Sequence, residues 1–396
     1  MEINKAYKFR LYPNKNQREL FSKQFGCVRF VWNHFLDLRK SDYTEHKKSR
    51  SYHKDCKDLT EFKKENEFLK EVNSQSLQHS LRNLDTAYDR FFRKIAKFPN
   101  FKKKNHKNSF HIPQNFNIIE NKIHIPKVKD GIKFKKHQRI NGIVKNLTIS
   151  KTSTNKYFVS ILVEEDYQPL KTNKNTIGID LGIKTFATFS DGQKIDNPKW
   201  LRKNQNKLKY NQRQLSKKTK GSNARNKYRL RVAIIHEKIK NQRLDFLHKL
   251  TFNIVRENQA ICAESLKVKN MMKNHNLARA IGEVSWAEFF RQLDYKSNWN
   301  NRQFVQIEWF FPSSKMCNNC GYINQNLKLS DREWVCENCK TKLDRDINAS
   351  KNILNQGLKI LSGCALQSDK KQKEQESSVC NPEAMNAQIT TLSGDS

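Results

Sequence analysis

Hydrophobic and polar positions alternate from the start of the chain. Over residues 2–11, Tyr7, Phe9 and Leu11 interleave with Ala6, Lys8 and Arg10, which predicts a strand ended by Pro13-Asn14. From residue 16 to about 97 the period changes. Phe21, Phe25, Val28, Val31, Trp32 and Phe35, then Leu77, Leu81, Leu84, Ala87, Tyr88, Phe91 and Phe92, recur at three- and four-residue steps. That spacing predicts helices whose aromatics form core and not a base-stacking surface. Pro99 breaks the pattern. Over residues 109–166 the period falls to two, in short runs parted by Asn, Asp and Gly turns. These predict a small β-barrel, joined by the first strand, with the helical segment inserted between. Residues 167–175 read as a polar linker.

A different architecture follows. Ile177-Gly178-Ile179-Asp180 predicts a buried strand ending in an acid, Phe186 to Phe189 its antiparallel neighbour, and Asp191-Gly192 a turn. Helices are expected over about 199–218, 224–257 and 286–299, the last with Ser285 as N-cap and Glu288 completing a capping box. Residues 259–263 predict a strand closing on Glu264, and 304–310 another. A last helix is expected from Asp346 to about Leu361, with Gly363 as its C-cap. Beyond Cys364 the residues are mostly Ser, Gln, Asn and charged, which predicts a disordered tail.

Charge narrows the function classes. Lys and Arg number 76 against 39 Asp and Glu, a net charge of +37. That excess implies a long polyanionic partner. No apolar run is long enough for a membrane span, and residues 1–12 lack the apolar core of a signal peptide. Over residues 201–249 there are 16 Lys or Arg and two acids, Glu237 and Asp245. Arg202, Lys209, Arg213, Lys217, Arg229 and Arg231 are therefore candidate phosphate contacts, as are Lys102, Lys103 and Lys104 in the basic run ending at Lys107.

Two chemical motifs lie near the C-terminal end. Cys317, Cys320, Cys336 and Cys339 have the C-x2-C-x15-C-x2-C spacing of a closed four-thiolate zinc site, which is structural and leaves no position open for chemistry. The other cysteines, Cys27, Cys56, Cys262, Cys364 and Cys380, are scattered, which suggests a reducing cytoplasm. Asp180 and Glu264 close strands and Asp346 opens a helix, so the three can meet at one rim of an α/β sheet. Converged carboxylates repel one another, and hard divalent cations, Mg²⁺ or Mn²⁺, relieve the repulsion. Two such ions can hydrolyse a phosphodiester. Asp344 is the alternative to Asp346 in the Asp344-Arg345-Asp346 run.

The strings Ile177-Gly178-Ile179-Asp180-Leu181-Gly182-Ile183-Lys184 and Cys262-Ala263-Glu264-Ser265-Leu266, the zinc ribbon and Asp344-Arg345-Asp346-Ile347-Asn348-Ala349 resemble the TnpB (OrfB) proteins of bacterial transposons, relatives of the type V CRISPR effectors. The resemblance runs from Lys5 to about Leu361. It implies a multi-domain α+β protein: a wedge β-barrel (1–12 and 105–170), an inserted helical recognition domain (13–104), an RNase H-like (RuvC) nuclease domain (176–310 and 343–362) with an inserted zinc ribbon (311–342), and the tail (363–396). It implies Asp180, Glu264 and Asp346 as the catalytic, Mg²⁺-binding triad. It also implies a guide RNA and a double-stranded target DNA as partners, and cleavage beside a short flanking motif in the bacterial cytoplasm. Ser265 and Asn270 depart from the family's frequent Asp and Gly, and neither is a metal ligand; Asn270 is expected to tolerate a left-handed backbone.

In such an enzyme base pairing reads the sequence and the protein reads phosphates and a short motif. Gln75 and Gln78, three apart on a predicted helix, are candidates for reading adenine. Two other functions fit the sequence: an RNA-guided repressor that does not cut, which the intact triad opposes, and a transposase or resolvase needing no RNA.

Overall fold

The computed structural model describes residues 1–104, 108–328 and 330–378, with the side chains of Lys269 and of residues 364–378 left aside. Asn105, His106 and Lys107 of the basic run lie outside the described residues. The chain divides into two compact units, residues 1–167 with 218–234, and residues 168–217 with 235–396.

In the first unit, β1 (Glu2–Tyr12) leads into α1 (Lys15–His46), α2 (Tyr52–Glu65) and α3 (Ser74–Phe92). Strands β2 (Asn108–Ile112), β3 (Asn117–Ile119), β4 (Lys122–His124), β5 (Ile132–Lys135), β6 (Ile143–Lys151) and β7 (Tyr157–Asp166) follow. Asn14 and Gln17 form a reciprocal capping box that starts α1. The first strand does join the later ones, pairing antiparallel with β7 over residues 2–11 and with β5 over 10–12. The expected barrel is instead a sheet ordered β2-β6-β7-β1-β5-β4-β3. Its β2 end is covered by α3: Ser76 Oγ donates to the His111 carbonyl at 2.6 Å, and the His79 and His111 rings stack at 3.8 Å. A helix thus guards an edge that barrel closure would otherwise remove.

Alternation holds along β7, where Tyr157, Val159, Ile161 and Val163 are buried against Phe21 and other α1 residues. The helical aromatics are core as expected, apart from two in the last turn of α3: Phe91, half-buried and outside the core cluster, and Phe92, 71% exposed. Between α1 and α2, Asp55 is fully buried and takes Arg39 Nε at 2.7 Å and Arg50 Nε at 3.0 Å. Two guanidinium groups compensate its charge.

The second unit carries β8 (Thr176–Leu181), β9 (Thr185–Phe189), β10 (Lys194–Asp196), α4 (Trp200–Ser216) and α5 (Asn223–Glu257), whose N-terminal part belongs to the first unit. Next come β11 (Ala260–Glu264), α6 (Val268–Met271), α7 (His275–Val284), α8 (Trp286–Trp299) and β12 (Gln303–Ile307). The hairpin of β13 (Glu333–Val335) and β14 (Lys342–Asp344) precedes α9 (Arg345–Ser378). The main sheet is ordered β10-β9-β8-β11-β12, with β8, β11 and β12 parallel and β9 reversed.

Three local expectations are corrected. Ser285 has φ +57° and its side chain makes no cap bond, because it ends α7 as well as preceding α8; Glu288 pairs with Arg291 and Gln292 instead. Asn270 is helical within α6, so no left-handed backbone is required of it. The last helix continues through Gly363 to Ser378, since one Gly amid good helix formers costs only about 1 kcal/mol and the first Pro beyond is Pro382.

α9 packs on β8 and β11 at glycines. A Cβ on Gly178 would collide with the Ser350 carbonyl oxygen and lie 2.8 Å from Leu354 Cβ. A Cβ on Gly357 would lie 2.6 Å from Cys262 Cβ. Gly178→Ala is therefore expected to destabilise the protein by about 1–3 kcal/mol. Gly363→Ala, in the same helix with nothing within 4 Å, should be neutral or stabilising by up to about 1 kcal/mol. Thermal unfolding of the two variants checks the contrast, and equal midpoints would refute the close-approach argument.

Candidate active site

Asp180 and Glu264 occupy the C-terminal ends of neighbouring parallel strands. Ile179 and Ala263 are in register across β8 and β11, so the two acids are the next pair along. Asp346 enters from the first turn of α9. All three line one cleft of about 510 Å³, together with Lys184, Arg332 and Arg345. Asp344 also reaches it, but its carboxylate is otherwise engaged. Oδ1 accepts from the backbone N–H groups of Asp346 and Ile347 at 3.0 Å, and Oδ2 takes Lys194 Nζ at 2.7 Å. Asp344 is thus the N-cap of α9. Burial works against its charge, yet Lys194 and these N–H groups hold it below the usual carboxylate range. This leaves Asp346, whose nearest cation is Arg332 at 3.7 Å, as the freer of the two.

Asp180 and Glu264 form no ion pair among the described residues. Burial pushes Asp180 well above the usual carboxylate range, and the Glu264 and Asp346 charges push it further. Burial raises Glu264 to about 7. Asp180, Glu264 and Asp346 do not close to within 4.8 Å of one another as the four thiols do. Spread carboxylates suit ligands shared between two ions about 4 Å apart better than a single tight shell. The donor set is oxygen only, which fits Mg²⁺ or Mn²⁺.

The four cysteines form the one group of metal-ligating atoms mutually within 4.8 Å among the described residues. Sγ separations are 3.6 Å for Cys317 to Cys339 and for Cys320 to Cys336. Tetrahedral Zn–S bonds of about 2.3 Å require about 3.8 Å, so the cluster can hold a structural metal such as zinc. Each C-x2-C turn closes the same way, with Gly321 N–H donating to the Cys317 carbonyl and Lys340 N–H to that of Cys336. The residue after each second cysteine, Gly321 or Lys340, has positive φ, at +77° and +59°. The Thr341 hydroxyl and backbone bring Cys339 down to about 5, and burial pushes Cys317 up to about 11. Cys262, also raised to about 11 by burial, is an inert core thiol.

Two α9 residues grip this module: Asn348, seen in the sequence only as part of the string over residues 344–349 and given no role there, and Asn352, not singled out at all. Asn348 Nδ2 donates to the Met316 carbonyl at 2.7 Å and its Oδ1 accepts from Asn318 N–H at 2.9 Å. Asn352 Nδ2 donates to the carbonyls of Ser313 and Met316 at 2.8 and 2.6 Å. Asn is the only signal in sequence, and buried Asn on a helix face is too common to read alone.

The basic candidates separate. Arg202 and Lys209 line a second cavity of about 880 Å³, which shares Ile183 and Lys184 with the acidic cleft. Arg213 and Lys217 are exposed at the far end of α4, outside both cavities. Arg229 and Arg231 are exposed in the first unit, the latter over the Tyr228 ring. Lys103 and Lys104 are exposed, while Lys102 folds over Trp32 with Nζ 3.5 Å from the ring centroid. Gln78 is exposed on α3; Gln75, half-buried, has its Oε1 without a hydrogen-bond partner. No helix among the described residues is long and apolar enough to cross a membrane.

Three family profiles match: "Probable transposase" over residues 158–275, "Helix-turn-helix domain" over 1–48 and "Cas12f1-like, TNB domain" over 286–353. In this chain residues 1–48 are β1 followed by the unbroken α1. A Streptomyces pristinaespiralis protein named "Putative RNA-guided DNA endonuclease" is 39% identical over 363 residues, covering 90% of each chain. The Escherichia coli K12 "Putative RNA-guided DNA endonuclease InsQ" is 33% identical over 382 residues, covering 91% of this chain and 94% of its own. A solved Cas12f1–sgRNA–target DNA complex aligns at 15% identity and TM-score 0.35, over 89% of this chain and 99% of that one. The chain belongs to the TnpB (OrfB) family of transposon-encoded RNA-guided DNA endonucleases, related to the type V CRISPR effectors.

Two outcomes follow from the site. Without divalent ions, Glu264 holds its proton more tightly folded than unfolded, so stability should fall as pH rises from about 4.5 to about 7. The loss is on the order of 3 kcal/mol. Glu264→Gln should flatten that fall and raise the midpoint at pH 8. A wild-type midpoint that does not drop across this window would contradict the buried charge. Cys336→Ser should abolish metal binding at the four-thiol site, read as zinc per chain by elemental analysis.

Proposed function

We propose that this protein is a guide-RNA-directed endonuclease that hydrolyses target DNA beside a short flanking motif. The observation that carries this is the pair of half-buried carboxylates, Asp180 and Glu264, which form no ion pair among the described residues and line a cleft that Asp346 also enters. Asp180, Glu264 and Asp346 would hold two Mg²⁺ or Mn²⁺ ions, which when bound supply an activated water and stabilise the leaving oxygen. The β10-β9-β8-β11-β12 order, with β9, the second strand of this unit, reversed, is that of RNase H-like nucleases and supports the same reading.

The chain's own residues do the positioning. Lys194 keeps Asp344 engaged as a cap, so that Asp346 alone of that run is left for the cleft. Lys184, Arg332 and Arg345 bring positive charge to a site that must admit a phosphodiester. Arg202 and Lys209 extend that charge into the adjoining cavity, where they would track a nucleic-acid backbone. The first unit would supply the wedge sheet and helical recognition part, with Gln75 and Gln78 near the flanking motif. Zinc at the four cysteines braces α9 through Asn348 and Asn352.

The test begins with co-expression alongside the native locus. A defined RNA ending in a variable segment should co-purify and direct Mg²⁺-dependent cutting of a matching duplex. Asp180→Ala should lower cleavage at least about 10³-fold and leave target binding within about twofold. Cutting at the wild-type rate by Asp180→Ala would overturn the triad. Cutting that survives RNase treatment before assembly would point to a protein-guided transposase or resolvase.

A further inference from the structure

Two aromatic side chains are presented to solvent beside the carboxylate cleft. Trp309 is 60% exposed and Phe310 is 65% exposed, and their rings meet edge-on at 5.9 Å. They sit in the turn that leaves β12. Ile307, the last residue of that strand, is in register with Glu264 and fully buried. Four residues beyond Trp309, Ser313 lines the same cleft as Asp180 and Glu264. Both flanks of the turn are pinned. Ile307 and Phe311 pack with Cys262 and Ile353, Phe311 N–H donates to the Glu308 carbonyl at 3.2 Å, and Ser313 is held by Asn352. The turn is thus anchored by its neighbours, yet its two largest apolar side chains point away from the core.

Lys267, three residues past Glu264, lays its Nζ 3.6 Å from the centre of the Trp309 ring and has no acidic partner among the described residues. Two exposed rings beside an unpaired cation are the elements of a single-strand site. Bases stack on aromatic faces irrespective of sequence, and the cation meets the adjacent phosphate. Duplex DNA offers no free base faces, so this surface discriminates for an unpaired strand.

We propose that Trp309 and Phe310 form a stacking platform for unpaired nucleobases of the DNA strand entering the carboxylate cleft, with Lys267 contacting its phosphate. This rests on the nuclease reading for the identity of the strand, and on the exposed rings for the site itself.

The experiment compares an oligodeoxythymidylate with an abasic strand of equal length and charge. Both are bound to the full chain without divalent ions, in one buffer of moderate salt in which phosphate contacts persist for both strands alike. Wild type should prefer the base-bearing strand by about fivefold or more. Trp309→Ala with Phe310→Ala should remove the preference while abasic binding stays unchanged. Trp309→Phe should keep most of it, and Lys267→Ala should weaken both strands alike. A preference that persists in the double variant, or is absent in wild type, overturns the platform. So does a double variant that changes oligomeric state on gel filtration and keeps the base preference, which would mark a protein contact. The nuclease reading fails separately. If Asp180→Ala still cuts while the double variant loses base preference, the platform stands and the triad falls. If Asp180→Ala is inactive and base preference is untouched, the triad stands and the platform falls.

Discussion

The second unit is organised by how closely α9 can approach its sheet. Gly178 on β8 and Gly357 on α9 remove the two Cβ atoms that would hold helix and sheet apart. With that clearance gone, the first turn of α9 falls beside the ends of β8 and β11. Asp346 then reaches the cleft that holds Asp180 and Glu264. The approach also puts the positive end of a long helix near three acids, which offsets part of their repulsion. Asp344 uses two of the free N–H groups there as a cap, fixing where the helix begins and hence where Asp346 stands.

The same helix joins the thiol cluster to the acidic cleft. Asn348 is two residues past Asp346, and Asn352 one turn further. Between them they hold the Met316 carbonyl, the Ser313 carbonyl and the Asn318 N–H. Met316 directly precedes the first metal-ligating cysteine, and Ser313 lines the cleft. A metal held by the four sulfurs would do no chemistry, but it would keep this backbone in one conformation. What it organises is therefore passed to α9 over short hydrogen bonds, each expensive to leave unmade once buried.

Much of this was legible in sequence because the signals are local. Period-two runs identify β1 and β7, C-x2-C turns identify the thiol cluster, and an acid closing an apolar run marks Asp180 and Glu264, which the fold brings to one cleft. The misreadings have physical causes. Ser285 has the right residue type for an N-cap, but its backbone is committed to ending α7. Phe92 keeps helical period, yet falls in the last turn of α3, beyond the core that buries Leu77, Leu81 and Leu84. Short strands in sequence do not say whether a sheet closes, since that depends on whether a helix such as α3 covers its edge. Gly178 looked like part of a motif and proved to be a clearance. Only the partner helix, distant in sequence, supplies the reason.

Two carboxylates in this chain, one fully buried and one half-buried, receive opposite treatment, and the contrast bears on what the cleft is for. Asp55 is fully buried between Arg39 and Arg50 and is paid for within the chain. Asp180, half-buried, stands beside another acid and forms no ion pair among the described residues. With 76 Lys and Arg available, this is not a shortage of cations. Lys194 comes to the very same cleft and pairs with Asp344 instead. A single lysine on Asp180 would relieve its charge, but would also fill the position that the proposed phosphodiester substrate would have to approach. Leaving Asp180 and Glu264 unpaired keeps two carboxyls whose ionisation burial opposes, and which no side chain of the described residues compensates. On the proposed nuclease reading, a dication would supply the missing compensation there while the surrounding lysines and arginines would attract nucleic acid, so the two ligands would be drawn to one place by opposite charges.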